Sequence, residues 1–523
     1  MIRIRQIKIE ALTNSKEKLK EKIARKLRIN PNEIKSFSIY RQSIDARNKE
    51  SIFFVYEVNV EVKNEEKILK NQNDKDIFPS KEETYTFKSN KKLKQPPIIV
   101  GSGPSGLFAA LILAENNNPP IIIERGEKIE ERIEKVTTFW EKGRLVECSN
   151  VQFGEGGAGT FSDGKLNTLI RNQENRMTKV FETFVRFGAP KEILYSYKPH
   201  IGTDILREVI IKMREYIKSL GGVFLYKTCL TDLCIENKVL KGVIVNHEKY
   251  LPCKHLILAI GHSARDTFKL LYDKKVDMTS KAFAVGVRVI HAQEKIDASL
   301  VGEKYKKTLS PATYKLTHTC QNKRGVYSFC MCPGGYVVNA SSQKGALAIN
   351  GMSNYKRDSG YANSALVVTV DENDFGPHPL DGMVFQNKLE KKAFLIGKGN
   401  IPCQTLKDFK EQKSEEKMTI EGIKGAYTFA DLNTLFPEEI TKSLKEAFPF
   451  FEKKIKNFAE DKTILAGVES RTSSPVRIIR NKKYESNIIG IFPTGEGAGY
   501  AGGITSSAVD GIKVAESLLE NES

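Results

Sequence analysis

The first ninety residues alternate apolar and polar positions in several short stretches, a pattern that predicts β-strands. One stretch differs, because residues 15–27 place Leu19, Ile23 and Leu27 at helical spacing and so predict an amphipathic helix. This order of elements predicts a small α+β module. The stretches predicted to be strands are 2–9, 34–40, 52–62 and 84–87.

The pattern changes to α/β from residue 98. Short apolar runs at 98–100 and 121–123 flank a helical segment, and residues 219–262 have the pattern of a β-meander. The α/β pattern returns near residue 488 and leads into a final helix. The predicted domains are an N-terminal α+β module (1–92), the first part of a nucleotide-binding domain (96–274), a mixed α+β substrate or cap domain (275–465) and the second part of the nucleotide-binding domain (466–523).

A glycine-rich turn follows the run at 98–100, with Gly101, Gly103 and Gly106 in GxGxxG spacing. In this motif the first glycine allows the turn, the second lets a pyrophosphate approach the backbone and the third lets the helix pack on the strand. Pro104 fits the first helical turn. Glu124 ends the next apolar run, about 20 residues further on, where a carboxylate accepts ribose hydroxyls. These features predict a dinucleotide site without a 2′-phosphate.

The C-terminal stretch has a second set of glycines. An apolar run leads to Gly495 and Glu496, and the pair Gly502 and Gly503 opens a helix. Such a helix start can direct N–H groups and the helix dipole at a group that gains negative charge, as flavin does on reduction. NAD needs no such second element, so the two sets together favour FAD. An earlier apolar run, 256–261, ends in Gly261 and is expected to return the chain to the first sheet.

Several long runs resemble those of a known family. The chain resembles the glutathione-reductase-like FAD superfamily in its branch with one dinucleotide site, and more narrowly the uncharacterised bacterial FAD-dependent dehydrogenases. The resemblance implies a Rossmann-like FAD-binding domain in two or more segments, non-covalent FAD and an oxidoreductase, but no substrate. The runs that carry it are 41–47, 151–168, 258–268, 329–342, 470–478 and 495–511.

The motifs and the resemblance together give a set of expected FAD contacts. The loop 154–165, rich in glycine and small polar residues, suits the ribitol phosphate and the flavin ring, although it could be a plain turn. The predicted cofactor-binding residues are Gly101, Ser102, Gly103, Pro104, Ser105, Gly106, Glu124, Arg125, Gly159, Thr160, Ser162, Asp163, Lys165, Leu230, Gly261, Gly495, Glu496, Gly502, Gly503 and Ile504.

The catalytic candidates have weaker support. Cys330 and Cys332 form the one closely spaced cysteine pair, which could be redox-active beside flavin or simply buried packing. His262 follows Gly261 and could be an acid or base, or a structural histidine. No metal site is predicted, because no histidine cluster accompanies a cysteine pair.

A run at 470–478 offers groups for an anionic substrate. Arg471, Ser473 and Arg477 could bind such a substrate or stabilise reduced flavin, and surface ion pairs are the alternative. No dedicated nicotinamide domain is expected, so NAD(P)H would dock transiently in the cleft. The predicted partner is a small molecule.

Composition adds a basic net charge of +18 and no apolar run long enough for a membrane span. The charge could indicate nucleic acid, and a tRNA-associated flavoprotein is the alternative function, but a lysine-rich solvated surface is favoured. A protein in which FAD is only structural is a third possibility. A cytoplasmic location is expected, since the N-terminus lacks the apolar region of a secretory signal.

Overall fold

The structure is a computed structural model that describes residues 1–71, 73–81, 84–309, 311–414 and 417–521. It is a mixed α/β arrangement with several sheets. Among the described helices, none has the length and apolar character needed to cross a membrane.

The N-terminal module is a four-stranded sheet in the order β2-β3-β1-β4, covered by α1. The helix begins where the Ser15 hydroxyl accepts a hydrogen bond from the Lys18 N–H. Its residues Leu19, Ile23 and Leu27 are buried in one core with the strands. Its elements are β1 (Ile2–Glu10), α1 (Lys16–Leu27), β2 (Ile34–Asp45), β3 (Phe53–Val62), α2 (Glu65–Lys70) and β4 (Ile77–Pro79).

The strand predicted at 84–87 is wrong. The fourth strand is β4, which pairs antiparallel with β1. Residues 84–87 have no regular secondary structure, and the Tyr85 hydroxyl donates to the Glu516 carboxylate in the C-terminal helix at 2.7 Å. This segment therefore packs against the next unit of the chain, and the alternating pattern reflects that packing.

The second unit contains the glycine-rich turn. Its strands β5, β6 and β7 are parallel neighbours, and β8, β9 and β10 form a separate antiparallel meander. Its elements are β5 (Ile98–Val100), α3 (Pro104–Glu115), β6 (Ile121–Ile123), α4 (Ile129–Lys142), α5 (Arg176–Arg186), α6 (Thr203–Ser219), β7 (Val223–Leu225), β8 (Leu230–Glu236), β9 (Val239–Val245), β10 (Lys249–Pro252), β11 (Leu256–Leu258) and α7 (Arg265–Asp273).

The meander is therefore shorter than the sequence predicted. The predicted meander, residues 219–262, includes β7, whereas in the structure β7 lies at the edge of the parallel sheet beside β6. A strand of three residues is too short for alternation to show which sheet it joins.

The third unit is built on a seven-stranded sheet in the order β14-β15-β18-β13-β22-β19-β21. A smaller sheet, β17-β16-β20, lies beside it. The elements are β12 (Met278–Ser280), β13 (Phe283–Ala292), α8 (Gln293–Leu309), β14 (Thr317–Thr319), β15 (Gly325–Cys332), β16 (Tyr336–Asn339), β17 (Ile349–Met352), β18 (Tyr361–Val370), α9 (Glu372–Phe375), α10 (Asp381–Ile396), β19 (Ile401–Thr405), α11 (Leu406–Glu411), β20 (Ile423–Lys424), β21 (Tyr427–Phe429), α12 (Glu438–Lys454) and β22 (Ile464–Glu469).

The C-terminal segment returns to the parallel sheet. It contains β23 (Val476–Ile478), β24 (Ile491–Pro493) and α13 (Ile504–Asn521), and β24 pairs parallel with β11 to complete the order β24-β11-β5-β6-β7. Helix α13 packs tightly on α3, since a Cβ on Gly511 would lie 2.1 Å from the Ser105 carbonyl oxygen. Two distant parts of the chain thus share one core.

Candidate functional site

A cavity of about 370 Å³ lies between the parallel sheet and the seven-stranded sheet. Its walls come from the turn after β5, the loop 154–165, the start of α13 and the ends of β15 and β22. The cavity thus gathers the segments that the sequence singled out, although they are far apart along the chain.

The three glycines of the first turn have different roles. A Cβ on Gly106 would lie 1.9 Å from the Gly101 carbonyl oxygen, and a Cβ on Gly101 would lie 2.4 Å from the Ala259 carbonyl oxygen. These two glycines therefore serve chain packing. Gly103 lines the cavity, and a Cβ there would come no closer than 3.7 Å to another protein atom, the Gly157 Cα. A side chain at 103 would displace only what occupies the cavity.

Glu124 is fixed at one end of the cavity by four donors. One carboxylate oxygen accepts from the N–H groups of Gly126 and Gly154, at 3.0 and 3.1 Å. The other accepts from the N–H and the hydroxyl of Ser102, at 3.0 and 2.8 Å. The carboxylate lines the cavity in a fixed orientation. Ser102 itself does not line it, because its hydroxyl is committed to Glu124.

A buried arginine that the sequence analysis missed shapes the glycine loop. Arg132, in α4, is fully buried, and burial lowers its pKa to about 9. Its only sequence signal is a basic residue among apolar ones on the inner face of α4, between Ile129 and Val136. Its guanidinium donates to the backbone carbonyls of Asn150, Val151, Gly154, Glu155 and Gly157.

The start of α13 forms a second glycine surface on the cavity. Gly502, Gly503 and Ile504 line it, and a Cβ on Gly502 would have no protein atom within 4 Å. Glu496 also lines the cavity. Burial raises its pKa to about 7, although the positive charge of Lys281 lowers it. The Gly502 N–H donates to the Ser506 hydroxyl at 3.3 Å, and the backbone of this helix start, like that of α3, lines the cavity.

Charged side chains from three elements meet at the cavity wall. Glu390, in α10, is fully buried and accepts two hydrogen bonds from each of Arg265 and Arg471, at 2.8 to 2.9 Å. Burial alone would raise the pKa of Glu390, but the two guanidinium groups lower it further than burial raises it. Arg471 also donates to the hydroxyls of Ser263 and Ser342, at 3.1 and 2.6 Å. The Arg471 guanidinium is therefore fixed where it lines the cavity.

His262 lies beside this network and lines the cavity. Its Nδ1 shares a hydrogen bond with the Ser263 hydroxyl at 2.8 Å. Burial, together with the positive charges of Arg471 and Arg265, lowers the pKa of His262 to about 4. The imidazole is therefore neutral at physiological pH.

A second charged cluster, around Asp163 and Lys165, also contributes to the cavity wall. Asp163 is buried and accepts hydrogen bonds from Arg357 and Ser353. Burial would raise the pKa of Asp163, but Lys165 and Arg357 lower it overall. The Lys165 ammonium lies 3.4 Å from Asp163 and donates to the Met331 carbonyl oxygen. This contact brings the predicted loop 154–165 to the two predicted cysteines.

The cavity brings together most of the residues predicted from the sequence. They include Cys330 of the cysteine pair and Arg471 of the two candidate substrate-binding arginines. The predicted residues that line the cavity are Gly101, Gly103, Pro104, Ser105, Glu124, Arg125, Gly159, Ser162, Asp163, Lys165, Leu230, Gly261, His262, Cys330, Arg471, Glu496, Gly502, Gly503 and Ile504.

Four of the predicted cofactor-binding residues, Ser102, Gly106, Thr160 and Gly495, do not line the cavity. Ser102 supports Glu124 and Gly106 packs on the turn, as described above. The Thr160 hydroxyl is buried and donates to the Glu155 carbonyl oxygen at 3.4 Å. Gly495 packs on α3, where a Cβ would lie 2.8 Å from the Ser105 Cβ.

Three predicted catalytic or substrate residues are also absent from the cavity wall. Cys332 is fully buried behind Cys330. Ser473 does not line the cavity, whereas its neighbour Thr472 does. Arg477 is exposed, and its guanidinium stands over the ring of Tyr500, 5.2 Å from the centroid.

The cavity also contains residues that the sequence analysis did not name. Several are neighbours of predicted residues, but Asn350 and Glu469 come from strands that carry no motif. The missed lining residues with polar or aromatic side chains are Gln152, Phe153, Asn167, Thr228, Cys229, Ser263, Phe329, Asn350, Glu469, Thr472, Thr494 and Ser507.

One possible metal-ligand group lies outside the cavity. His318, Cys320 and Glu446 hold their ligand atoms within 4.8 Å of one another, and the His318 Nε2 is 3.1 Å from the Glu446 carboxylate. That carboxylate already accepts from the Gln321 N–H at 3.0 Å. The sequence spacing did not predict this group.

Known proteins resemble the chain over nearly its whole length. An uncharacterized protein of Clostridium beijerinckii is 46% identical over 529 residues, which is 99% of this chain and 98% of the relative. The family model described as "FAD-dependent protein, C-terminal domain-like" matches residues 282–472, and the "Domain of unknown function (DUF8436)" matches residues 1–61. The chain belongs to a family of FAD-dependent proteins. FAD is its cofactor.

Solved structures show only distant likeness. A variant of the E. coli quinol fumarate reductase subunit FrdA is 12% identical, with 84% of this chain and 71% of that chain covered and a TM-score of 0.37. Glycine oxidase of Bacillus cereus is 14% identical, with 82% and 96% covered and a TM-score of 0.31. L-proline dehydrogenase of P. horikoshii is 12% identical, with 82% and 94% covered and a TM-score of 0.35. Likeness at this level assigns no activity to the chain.

The cavity fits FAD on its own geometry. Gly103 and Gly502 leave open space where a side chain would stand, as a pyrophosphate and a flavin ring pressed against backbone require. The N-termini of α3 and α13 both open onto this space and favour negative charge. Glu124 marks the end where a ribose would lie. We call this the adenosine end, and we call the region around Cys330, Arg471 and Gly502 the ring end.

Proposed function

We propose that the protein is an FAD-dependent oxidoreductase that acts on a small molecule at the ring end of the cavity. The flavin is held by a Rossmann-like domain made of residues 96–274 and 466–523, and residues 275–465 act as the cap. One observation carries the proposal: a single cavity has bare glycine backbone where a dinucleotide needs it, and charged and nucleophilic side chains beyond it.

The two ends have different tasks in this proposal. At the adenosine end, Glu124 accepts ribose hydroxyls and the N-terminus of α3 receives the pyrophosphate. At the ring end, the N-terminus of α13 favours negative charge on the flavin edge. Bound FAD supplies two-electron chemistry, and the protein supplies orientation and electrostatics.

Arg471 gives the ring end a preference for anions. Arg265 and Arg471 share one carboxylate, that of Glu390, so the three groups carry one net positive charge. His262 is neutral and adds no charge that would oppose an approaching anion. The preference would favour a carboxylate or similar group on the substrate, and it would also stabilise negative charge on reduced flavin.

The electron donor would share the same cavity with the substrate. We expect no dedicated nicotinamide domain, so a nicotinamide donor would dock at the ring end and leave after hydride transfer. A substrate that reduces the flavin directly would make such docking unnecessary.

The experiment is a flavin reduction screen on the purified full-length protein. The visible spectrum, as isolated and after addition of FAD, is recorded first. Stopped-flow mixing under anaerobic conditions then tests NADH, NADPH and a panel of amino, hydroxy and dicarboxylic acids. Rapid bleaching by one of them, slowed in Arg471→Met, supports the proposal. A bound flavin that photoreduces but bleaches with none of them, and is reoxidised by no acceptor, points to structural FAD and overturns it.

A further inference from the structure

The cavity contains a cysteine pair whose backbone departs from a regular strand. The register between β15 and β18 shifts between Phe329 and Cys332, and Cys330 has φ of +44°. Left-handed backbone is uncommon for a residue other than glycine and marks a position worth a functional hypothesis.

This irregularity brings the two thiols together. Residues two apart in a regular strand are separated by about 6.6 Å, near the upper limit for Cα atoms joined by a disulfide. Here the Cys332 thiol donates to the Cys330 carbonyl oxygen at 3.3 Å, and the two side chains are close enough for each to shift the pKa of the other. Cys330 lines the cavity and Cys332 lies fully buried behind it.

The charges around the pair differ for its two members. The neighbouring Cys332 side chain, with Lys165 and Arg288, lowers the pKa of the Cys330 thiol, whereas burial and Asp163 raise it. The Cys330 side chain and burial raise the pKa of the Cys332 thiol. The arrangement resembles that of reactive dithiols, in which an accessible thiolate faces the reaction and its partner stays protonated.

Other charged groups complete this environment. Arg288 is fully buried and donates to the Cys330 carbonyl oxygen at 3.2 Å and to Glu469 at 2.7 Å. Glu469 and Glu496 both line the cavity and lie within electrostatic range of Cys330. Cys330 thus has two basic groups, Lys165 and Arg288, and three acidic ones, Asp163, Glu469 and Glu496, within electrostatic range.

We propose that Cys330 and Cys332 are a redox-active dithiol that exchanges two electrons with the flavin and reduces a small disulfide substrate that enters the ring end. This proposal rests on the oxidoreductase function proposed above. It assigns that function a substrate class, which the motifs and the family leave open.

The electrons and protons balance in two steps. First, reduced anionic flavin loses two electrons and one proton, and the bond between the Cys330 and Cys332 sulfurs breaks to leave a Cys330 thiolate and a Cys332 thiol. Second, the Cys330 thiolate attacks a substrate disulfide and releases one substrate thiolate. The Cys332 thiol, on losing its proton to that thiolate, displaces the second one and restores the internal disulfide. The flavin donor supplies the two electrons.

The test uses three cysteine variants of the FAD-loaded protein. Cys330→Ser and Cys332→Ser remove one partner each, and Cys148→Ser removes an exposed thiol that does not line the cavity. Anaerobic dithionite titration should take up about four electrons per FAD in wild type and Cys148→Ser, and about two in the other variants. Two electrons in wild type, after oxidation by a small disulfide such as cystine, would overturn the proposal.

A second measurement does not depend on flavin turnover. Air-oxidised protein is denatured, its thiols are alkylated, and the mass is compared with that of protein reduced beforehand. Wild type and Cys148→Ser should show two fewer alkylated thiols when oxidised, whereas Cys330→Ser should show no difference. Equal alkylation of oxidised and reduced wild type would contradict the proposal.

The two proposals fail in distinguishable ways. In one outcome a carbon donor reduces the flavin, and a small disulfide such as cystine reoxidises it in Cys330→Ser at the wild-type rate. The dithiol proposal is then wrong, and the oxidoreductase proposal remains. A protein whose flavin accepts electrons from no donor removes both.

Discussion

The two ends of the cavity differ in which protein groups line them. The adenosine end consists of backbone: the Gly103 turn, the α3 N-terminus and a carboxylate, Glu124, held by main-chain N–H groups. The ring end adds charged and nucleophilic side chains, Arg471 from the network of Glu390 and the thiol of Cys330, to the glycine backbone at the start of α13. The first accepts a dinucleotide by leaving space, and the second acts by placing charge.

Because of this difference, substitutions at the two ends should affect different properties of the protein. A glycine that leaves open space can gain a side chain without strain on the fold, so its loss is felt in cofactor binding. A buried ion-pair network contributes to both fold and site, because removing one member leaves charges without partners.

The largest effect is expected for Glu390→Gln. This change leaves Arg265 and Arg471 without a carboxylate in a buried site, which typically costs about 3–5 kcal/mol. Chemical denaturation should show this loss in the free energy of unfolding near neutral pH. The control is Glu438→Gln, which removes an exposed partner of Lys442 and should leave the midpoint unchanged.

The pH dependence of the Glu390→Gln effect has a defined sign. The folded-state pKa of Glu390 is lowered, so its stabilisation is present above the unfolded pKa of about 4.3 and is lost as pH falls toward the folded pKa. The difference between wild type and Glu390→Gln should therefore shrink below about pH 4. A difference that is constant from pH 7 to pH 3 would contradict the ion-pair origin.

Gly103→Val tests the backbone-built end. The side chain has room in the protein, with the Gly157 Cα 3.7 Å from the Cβ position, but it enters the cavity. FAD affinity should fall at least about 100-fold, a loss of about 2.8 kcal/mol, while the melting temperature of the FAD-free protein stays near that of wild type. Titration followed by flavin fluorescence measures the affinity.

The matched control for Gly103 is Gly325→Val in β15. A Cβ there would also have room, with the Thr369 Oγ1 at 3.8 Å, but it lies away from the cavity. Its FAD affinity should match that of wild type. Equal FAD affinities for the two variants would mean that the cofactor does not press against the first turn.

The same contrast explains how far the sequence could predict the molecule. Glycines at fixed spacing and a carboxylate after the next strand are local signals, so Gly103, Glu124 and Gly502 could be named in advance. Glu390 could not, because nothing within α10 shows that two arginines, from the segments containing residues 265 and 471, converge on it. Arg132 is similar, since its partners are backbone carbonyls of a later loop.

The sequence also assigned some elements to the wrong surroundings for a physical reason. Segment 84–87 is a short alternating run and segment 223–225 a short apolar one, and such patterns predict burial but not the partner that buries the segment. Arg471 and Arg477 lie in one run, yet only Arg471 lines the cavity. Side-chain direction over a few residues depends on the local backbone path, which composition does not encode.

His262→Asn tests the charge state of the ring end. Because the folded-state pKa is about 4 and the unfolded value is about 6.5, the unfolded chain binds more protons between these pH values. Stability should therefore rise with pH through this window, by up to about 1.4 kcal/mol per pH unit from this group. His262→Asn should reduce that slope, with the exposed His247→Asn as the matched comparison. An unchanged slope in His262→Asn would show that the imidazole is not buried as a neutral group.

The smallest effect is expected for Arg477→Ala, and it sharpens the boundary of the ring end. The guanidinium is exposed over the Tyr500 ring, which Arg480 also contacts from 3.9 Å, so about 0.5–1 kcal/mol of stability at most is at stake. FAD affinity and the rate of flavin reduction should stay within about twofold of wild type, whereas Arg471→Ala should change both, because that side chain lines the cavity. Stopped-flow reduction of the two alanine variants by one donor makes the comparison. If Arg477→Ala slows reduction as much as Arg471→Ala does, the substrate must reach beyond the cavity wall to the surface around Tyr500, and the ring end is larger than its lining residues indicate.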